Sequence, residues 1–311
     1  MINLCRETGR TGEVENIVLT ARDAVLPEIL NDHNIRNTAA PLRIKLDLRY
    51  ALKIIRICRK EKIDLIHIHD TTALSLAVTA TKLAKLPPFI FSKKTSFPIK
   101  NRRRTLYKYN HSNIRKVLCV SEETKRITGL GIKDQDKLVT IYHGTTENKT
   151  ASNDFQLREK LGISKDKIIV GTIANHIRAK NLKTWVHLID HLINEKGQEQ
   201  FHFVQIGSFT KRTLMYKEMI KNKGLENAIS MTGFLPNASN YIPQFDISLL
   251  TSQSEGLPQF IYESFYHKVP VVSTNVGGIP EVIKDSENGM LSNPYEAERL
   301  ADKLIALSQD R

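Results

Sequence analysis

Between Ile247 and Ile283 the chain passes from one short apolar run to another through a loop and a helix-patterned segment, which narrows the folds open to it. Ile247 to Leu250 (ISLL) reads as a buried strand. Val269 to Ser273 (VPVVS) reads as a second, closed by the turn signal Asn275, Gly277, Gly278. Between them, Gly256 and Pro258 punctuate a turn, and Pro at the first helical position followed by Phe260, Ile261, Tyr262 and Phe265 predicts a helix start. Glu255 then precedes a helix N-terminus, and Glu263 lies about a turn and a half inside the helix. A helix N-terminus can hold a phosphate, and a carboxylate in the preceding loop can accept hydrogen bonds from hydroxyls. Such a site suits a polyol joined to a phosphate. A loop leaving the carboxyl end of a parallel strand is where open α/β sheets bind ligands.

The same alternation runs through the chain. Strands are predicted at Val14–Thr20, Ile63–Ile68, Phe89–Ser92, Val117–Val120 and Leu138–Tyr142. Helices are predicted at Leu26–Asn31, Leu46–Lys60, Thr72–Leu86, Arg103–His111 and from Ser121 to Gly129. From Gly144 to Asp154 the chain turns polar and loses periodicity, the best domain boundary available. This predicts domains at 1–145 and 146–311. The second restarts with a helix at Phe155–Leu161 and strands at Ile168–Ile173, Phe201–Ile206 and Ile229–Thr232. These alternate with helices at Leu182–Ile193 and Thr213–Lys223, a short one near Ala238, and a last one at Glu296–Leu307. Strands alternating with helices imply parallel, doubly wound sheets.

The order S-E-G-x-P-x4-E, then V-P-V-V-x-T, then V-G-G-x-P-E, resembles the donor-site signature of the family 4 retaining glycosyltransferases. A bare pair of Glu at that spacing is common on solvated helices. The flanking strands and the Gly-Gly-x-Pro-Glu turn make the pattern specific. The resemblance implies a GT-B fold, two Rossmann-like domains facing each other across a cleft. It also implies transfer of a sugar from a UDP-, GDP- or ADP-linked donor without a cofactor or metal. Glu255 would contact sugar hydroxyls, Glu263 the ribose, and the N–H groups near Gly256 and Leu257, in the turn that Pro258 closes, the phosphates or sugar. The loop Gly233-Phe234-Leu235-Pro236 would hold the base largely through backbone.

In Val170 to Trp185 (VGTIANHIRAKNLKTW) a strand runs into a loop bearing Arg178 and Lys180, two cations suited to a diphosphate leaving group. The family's commoner form puts the Arg nearer the strand end, where this chain has Asn175. Two solvated loop cations are the plainer alternative. His67, His69 and Asp70 end a predicted strand. A lone His is more often a satisfied structural residue, but H-x-H-D resembles the position where the family points a His at the donor sugar, which favours His69 and leaves His67 packed. A metal reading fails for want of further ligands.

The stretches HIHDTTALSLA and FSKKTSFPIKN resemble bacterial members that build lipopolysaccharide or capsular glycans, which would place Lys93 and Lys94 near the acceptor or donor phosphate. The resemblance further implies retention without a protein nucleophile, the acceptor hydroxyl attacking the face that the nucleotide leaves. Members open with a strand and a glycine-rich loop, whereas Ile2 to Gly12 reads as the tail of the following helix. Both ends therefore read as clipped, which leaves open an inactive donor-binding remnant. An epimerase on the same fold is a third reading.

Composition narrows the partners. Of 311 residues, 46 are Lys or Arg and 33 Asp or Glu, a net charge of +13 that favours anionic partners. Lys93, Lys94, Lys100, Arg102, Arg103, Arg104 and Lys108 form a run with no acidic residue. It can be a solvated face, a contact for an anionic membrane or phosphorylated acceptor, or a nucleic-acid surface; the last lacks any accompanying motif. Cys5, Cys58 and Cys119 are widely spaced, so buried free thiols are expected rather than disulfides or zinc. No window approaches the roughly 20 apolar residues of a spanning helix, and no signal-peptide core is visible, so a cytoplasmic protein, peripheral on the membrane's inner face, is expected.

Overall fold

The computed structural model describes residues 1–44, 46–142, 144–145 and 156–309. Most of the polar stretch read as a domain boundary, from residue 146 to 154, lies outside the described residues. The chain divides into two units. One comprises Met1–Lys93, Ile99–Leu118 and Gly129–Val139, the other Lys94–Pro98, Cys119–Thr128 and Thr140–Arg311.

In chain order the first half contributes α1 (Ile2–Arg10), β1 (Val18–Ala21), α2 (Leu26–Asp32), β2 (Asn37–Ala40), α3 (Leu48–Lys60), β3 (Ile66–Ile68), α4 (Thr71–Ala80), β4 (Phe89–Lys93), α5 (Arg103–Tyr109), β5 (Ile114–Cys119), α6 (Glu122–Gly129) and β6 (Leu138–Thr140). Here β1 and β2 pair parallel, and β3 to β6 form a four-stranded sheet in sequence order. The caps are local chemistry. Asp70 accepts from the amides of Thr72 and Ala73 at 2.7 and 2.9 Å, which fixes the start of α4 directly after the His67–His69 strand end. Ser121 does the same for α6, its hydroxyl taking the Thr124 amide at 3.1 Å. The helix read as Thr72–Leu86 ends at Ala80, where the chain tightens into turns that bond Lys82 N–H to Thr79 and Leu83 N–H to Ala80. β2 (NTAA) was not foreseen, for it lacks the β-branched run that marks a strand.

The second half adds α7 (Leu157–Lys160), β7 (Ile168–Ile173), α8 (Leu182–Asp190), β8 (Phe201–Ile206), α9 (Thr213–Asn222), β9 (Ile229–Gly233), β10 (Ile247–Leu250), α10 (Gln259–Tyr266), β11 (Val271–Thr274), β12 (Met290–Ser292) and α11 (Ala297–Gln309). Six strands pair parallel in the order β12-β11-β10-β7-β8-β9. Successive strand residues enter opposite cores. Val170, Phe203, Leu249 and Val272 pack with Trp185 and Leu188 of α8 on one face, and Ile169, Val204, Leu250 and Val271 pack with Phe260 and Ile261 of α10 on the other. Both faces are covered, as continuous apolar strands require. Because the chain steps from β7 outward to β8 and β9 and then returns to β10 on the other side of β7, the order reverses between β7 and β10. The loops leaving these two strands therefore open side by side.

Candidate functional site

The loop after β10 carries Thr251, Ser252, Gln253 and Glu255 toward α10. Pro258 stands one position earlier than its sequence suggests, as the residue before the first helical one, Gln259. The loop after β7 carries Arg178, Ala179 and Lys180, and ends at Asn181, whose left-handed backbone (φ 48°) turns the chain into α8. The two loops are stitched together by backbone: Gln253 N–H donates to Ala179 O at 2.8 Å, and the Thr251 hydroxyl reaches Lys180 O at 3.3 Å. On that frame Lys180 Nζ lies 2.6 Å from Glu255 Oε1, and the Ser252 hydroxyl donates to the same oxygen at 2.6 Å. Among the described residues no hydrogen bond reaches Glu255 Oε2. Arg178 is exposed, and among the described residues its guanidinium makes no ion pair, so the structure does not bring it to Glu255 beside Lys180.

Beneath the β7 loop is a buried polar network that the sequence reading missed. His176 is fully buried, its Nδ1 2.8 Å from Thr213 Oγ1 and its Nε2 2.6 Å from Gln205 Oε1. Burial lowers its pKa, which favours the neutral ring. Asn175, standing where the family usually has Arg, accepts the Ser208 amide at 2.8 Å.

The turn that presents Glu255 is closed backbone against backbone. Gly277 sits at φ 58°, and a Cβ there would fall 1.8 Å from Glu255 O. Gly278 N–H donates to Gly256 O at 2.7 Å, and the Ser96 hydroxyl donates to Glu255 O. Glu281, the last residue of the Gly-Gly-x-Pro-Glu run, caps α6: its carboxylate takes the amides of Glu122 at 2.9 Å and Glu123 at 2.8 Å, and the Tyr142 hydroxyl at 2.9 Å. Glu281 raises the Tyr142 pKa to about 12. Gly256, Leu257 and Pro258 are buried in this turn.

Within α10, Glu263 is partly buried with no hydrogen bond to its carboxylate among the described residues, and burial pushes its pKa up. Phe234 is 71% exposed beyond β9, while Leu235 packs against the core.

In the first unit, His67 Nε2 lies 2.8 Å from Ser92 Oγ and its ring centroid 4.1 Å from that of His69, so the two imidazoles stand together at the end of β3. Lys93 is buried at the end of β4. Of the basic run, Lys100, Arg102, Arg103 and Arg104 are exposed, whereas Lys108 donates to Thr71 O and Ser75 Oγ of α4, each at 3.1 Å. Lys94, counted with the second unit, is exposed. Among the described residues no group of three or more His, Cys, Asp or Glu is placed to hold a metal ion, and no helix is long and apolar enough to cross a membrane.

The family described as glycosyl transferases group 1 matches residues 153–311, and Glycosyltransferase Family 4 matches residues 1–149. The chain is 23% identical over 274 residues to the N-acetyl-alpha-D-glucosaminyl L-malate synthase of Bacillus anthracis, covering 85% of this chain and 70% of that one. It is 21% identical over 276 residues to the UDP-Gal:alpha-D-GlcNAc-diphosphoundecaprenol alpha-1,3-galactosyltransferase of Escherichia coli, covering 85% and 71%. The fold matches Anabaena HepE in complex with UDP-glucose with a TM-score of 0.84 at 20% identity, over 99% of this chain and 86% of that one.

Proposed function

The chain belongs to the group 1 glycosyl transferases, family 4 enzymes of GT-B fold that move a sugar from a nucleotide-sugar donor, and on that premise we propose that it is a retaining transferase acting on a lipid-linked or polysaccharide acceptor. The observation that carries this reading is the Lys180–Glu255 pair at the switch point of the six-stranded sheet, ahead of the N-terminus of α10. A cation, a carboxylate and first-turn amides together match a sugar diphosphate: charge for the phosphates, acceptors for the hydroxyls. Lys180, with Arg178 able to swing in from its exposed position, neutralises the diphosphate as it leaves. Glu255 orients the sugar through its hydroxyls, and Glu263 takes the ribose hydroxyls, which compensate a carboxylate that burial disfavours. The amides of Gly256 and Leu257 and the Phe234–Leu235 loop hold phosphate and base. His69 serves the donor sugar, and Lys93 and Lys94 the phosphates.

In the reaction the bond from the anomeric carbon to the donor phosphate breaks and a bond to the acceptor oxygen forms on the same face, the acceptor proton passing to the leaving phosphate. Positioning and electrostatic stabilisation of an oxocarbenium-like state supply the acceleration. The UDP complexes of structural relatives favour a uridine donor, and the diphosphoundecaprenol substrate named for the Escherichia coli relative favours a lipid-linked, envelope-building acceptor such as those of lipopolysaccharide or capsule. The exposed cations Lys100 and Arg102 to Arg104 suit an anionic membrane face where such acceptors lie, on the cytoplasmic side where nucleotide sugars are made.

The test is release of free nucleotide by the purified protein, scanned over UDP-, GDP- and ADP-sugars with a membrane lipid extract as acceptor. Extract-dependent release with one donor, and a product keeping the donor's anomeric configuration, is expected. Conversion of the donor sugar without acceptor would overturn the reading in favour of an epimerase.

A further inference from the structure

Tyr295, in the segment between β12 and α11, is the one aromatic among the described residues with a left-handed backbone, φ 73°. That conformation is strained for a bulky side chain, and strain of this kind persists where surrounding contacts impose it. Burial does not impose it, since the residue is 63% exposed. Its hydroxyl does make one well-defined contact, donating to Gln253 Oε1 at 2.5 Å. Accepting there turns the Gln253 amide so that Nε2 donates to Arg178 O at 2.8 Å, while Gln253 N–H donates to Ala179 O at 2.8 Å. The tyrosine therefore fixes a glutamine that holds two successive carbonyls of the loop, and the next residue of that loop is Lys180, 2.6 Å from Glu255.

We propose that Tyr295 and Gln253 form an outer latch that positions Lys180 for the donor diphosphate, Tyr295 acting through Gln253 without touching substrate. This rests on the reading of Lys180 as the diphosphate cation. The latch gives the basic loop a second anchor beside the buried His176 network: one from below, through the core, and one from outside, through an exposed hydroxyl. Lys180 shares an oxygen with Ser252, so a small shift of its loop changes how the ammonium divides between Glu255 and the phosphates. The latch thus acts on the leaving-group step more than on overall donor affinity.

The experiment compares wild type, Tyr295→Phe, Lys180→Met and the double variant, with UDP binding by calorimetry and turnover with whichever of the UDP-, GDP- or ADP-sugars gives extract-dependent nucleotide release. Tyr295→Phe is expected to lower kcat about three- to tenfold, the worth of one hydrogen bond, with a smaller change in KM. In the Lys180→Met background it should add nothing. Tyr295→Asn separates positioning from plain stability: Asn tolerates the left-handed backbone, so the melting temperature should hold or rise while kcat falls as in Tyr295→Phe. Gln253→Met should reproduce the Tyr295→Phe effect and serves if that variant folds poorly. Unchanged kcat in Tyr295→Phe and Tyr295→Asn, or an equal further loss in the Lys180→Met background, overturns the latch alone. Failure of the wild type to bind any nucleoside diphosphate overturns the donor reading and the latch with it.

Discussion

Lys180 Nζ and Glu255 Oε1 stand 2.6 Å apart across 75 positions of sequence, held there by loops that leave adjacent strands of one sheet. Exchanging Glu255 for Gln keeps the shape and the Ser252 contact but removes the charge facing the ammonium. Turnover is expected to fall by about two orders of magnitude, the scale of losing one preorganised electrostatic contact in an active site. The fold should survive, because both side chains keep some access to water (12% and 21%). Donor-dependent nucleotide release checks the first expectation and a melting curve the second; full activity in Glu255→Gln would refute the site assignment.

Gly277 is the structural keystone of the Glu255 turn. Gly277→Ala puts a methyl carbon 1.8 Å from Glu255 O on a backbone at φ 58°, so the turn itself must move. A loss of about 3 kcal/mol in urea unfolding is expected from combined strain and overpacking, together with loss of transfer. A variant as stable as wild type would mean the turn yields freely.

Glu263 sets function against stability. Burial raises its folded pKa, so ionisation opposes folding: the penalty is absent below the ordinary glutamate range and grows as pH rises through the raised folded value. Glu263→Gln should therefore melt higher than wild type at neutral pH, the gap closing on acidification, while nucleotide affinity falls. Lower stability at neutral pH would contradict this account.

Two buried histidines give stability an acid limb. Burial lowers the pKa of His176, and lowers that of His202 to about 4, where its Nε2 meets Ser230 Oγ at 2.9 Å. Each stays neutral in the fold while the unfolded chain takes up a proton near the ordinary histidine value of 6.5, so stability should be lost as pH drops below 6.5. His202→Gln should flatten the slope of unfolding free energy between pH 7 and pH 5. An unaltered slope would assign it to other groups.

The central strands were legible because they are apolar on both faces: Ile168–Ile173, Phe201–Ile206 and Ile247–Leu250 run as the sequence suggests. β12 (MLS) was not, being three residues long at a sheet edge. Of the site, the residue types that carry charge were visible, and strand order brings Lys180 to Glu255. Ser252, Gln253 and His176 were not singled out, because their parts depend on which carbonyls and amides tertiary structure sets beside them. A hydrogen bond such as that of Gln253 to Arg178 O leaves no trace in the identity of Arg178.

Asn181 joins the cation-bearing loop directly to α8, and Leu182, Trp185 and Leu188 of that helix are wholly enclosed. The loop thus shares the fate of the domain's largest buried side chain instead of behaving as a detachable flap. Heat should consequently inactivate this enzyme in a single step: loss of nucleotide release and loss of tryptophan burial, followed by fluorescence of its sole indole, are expected to trace one curve.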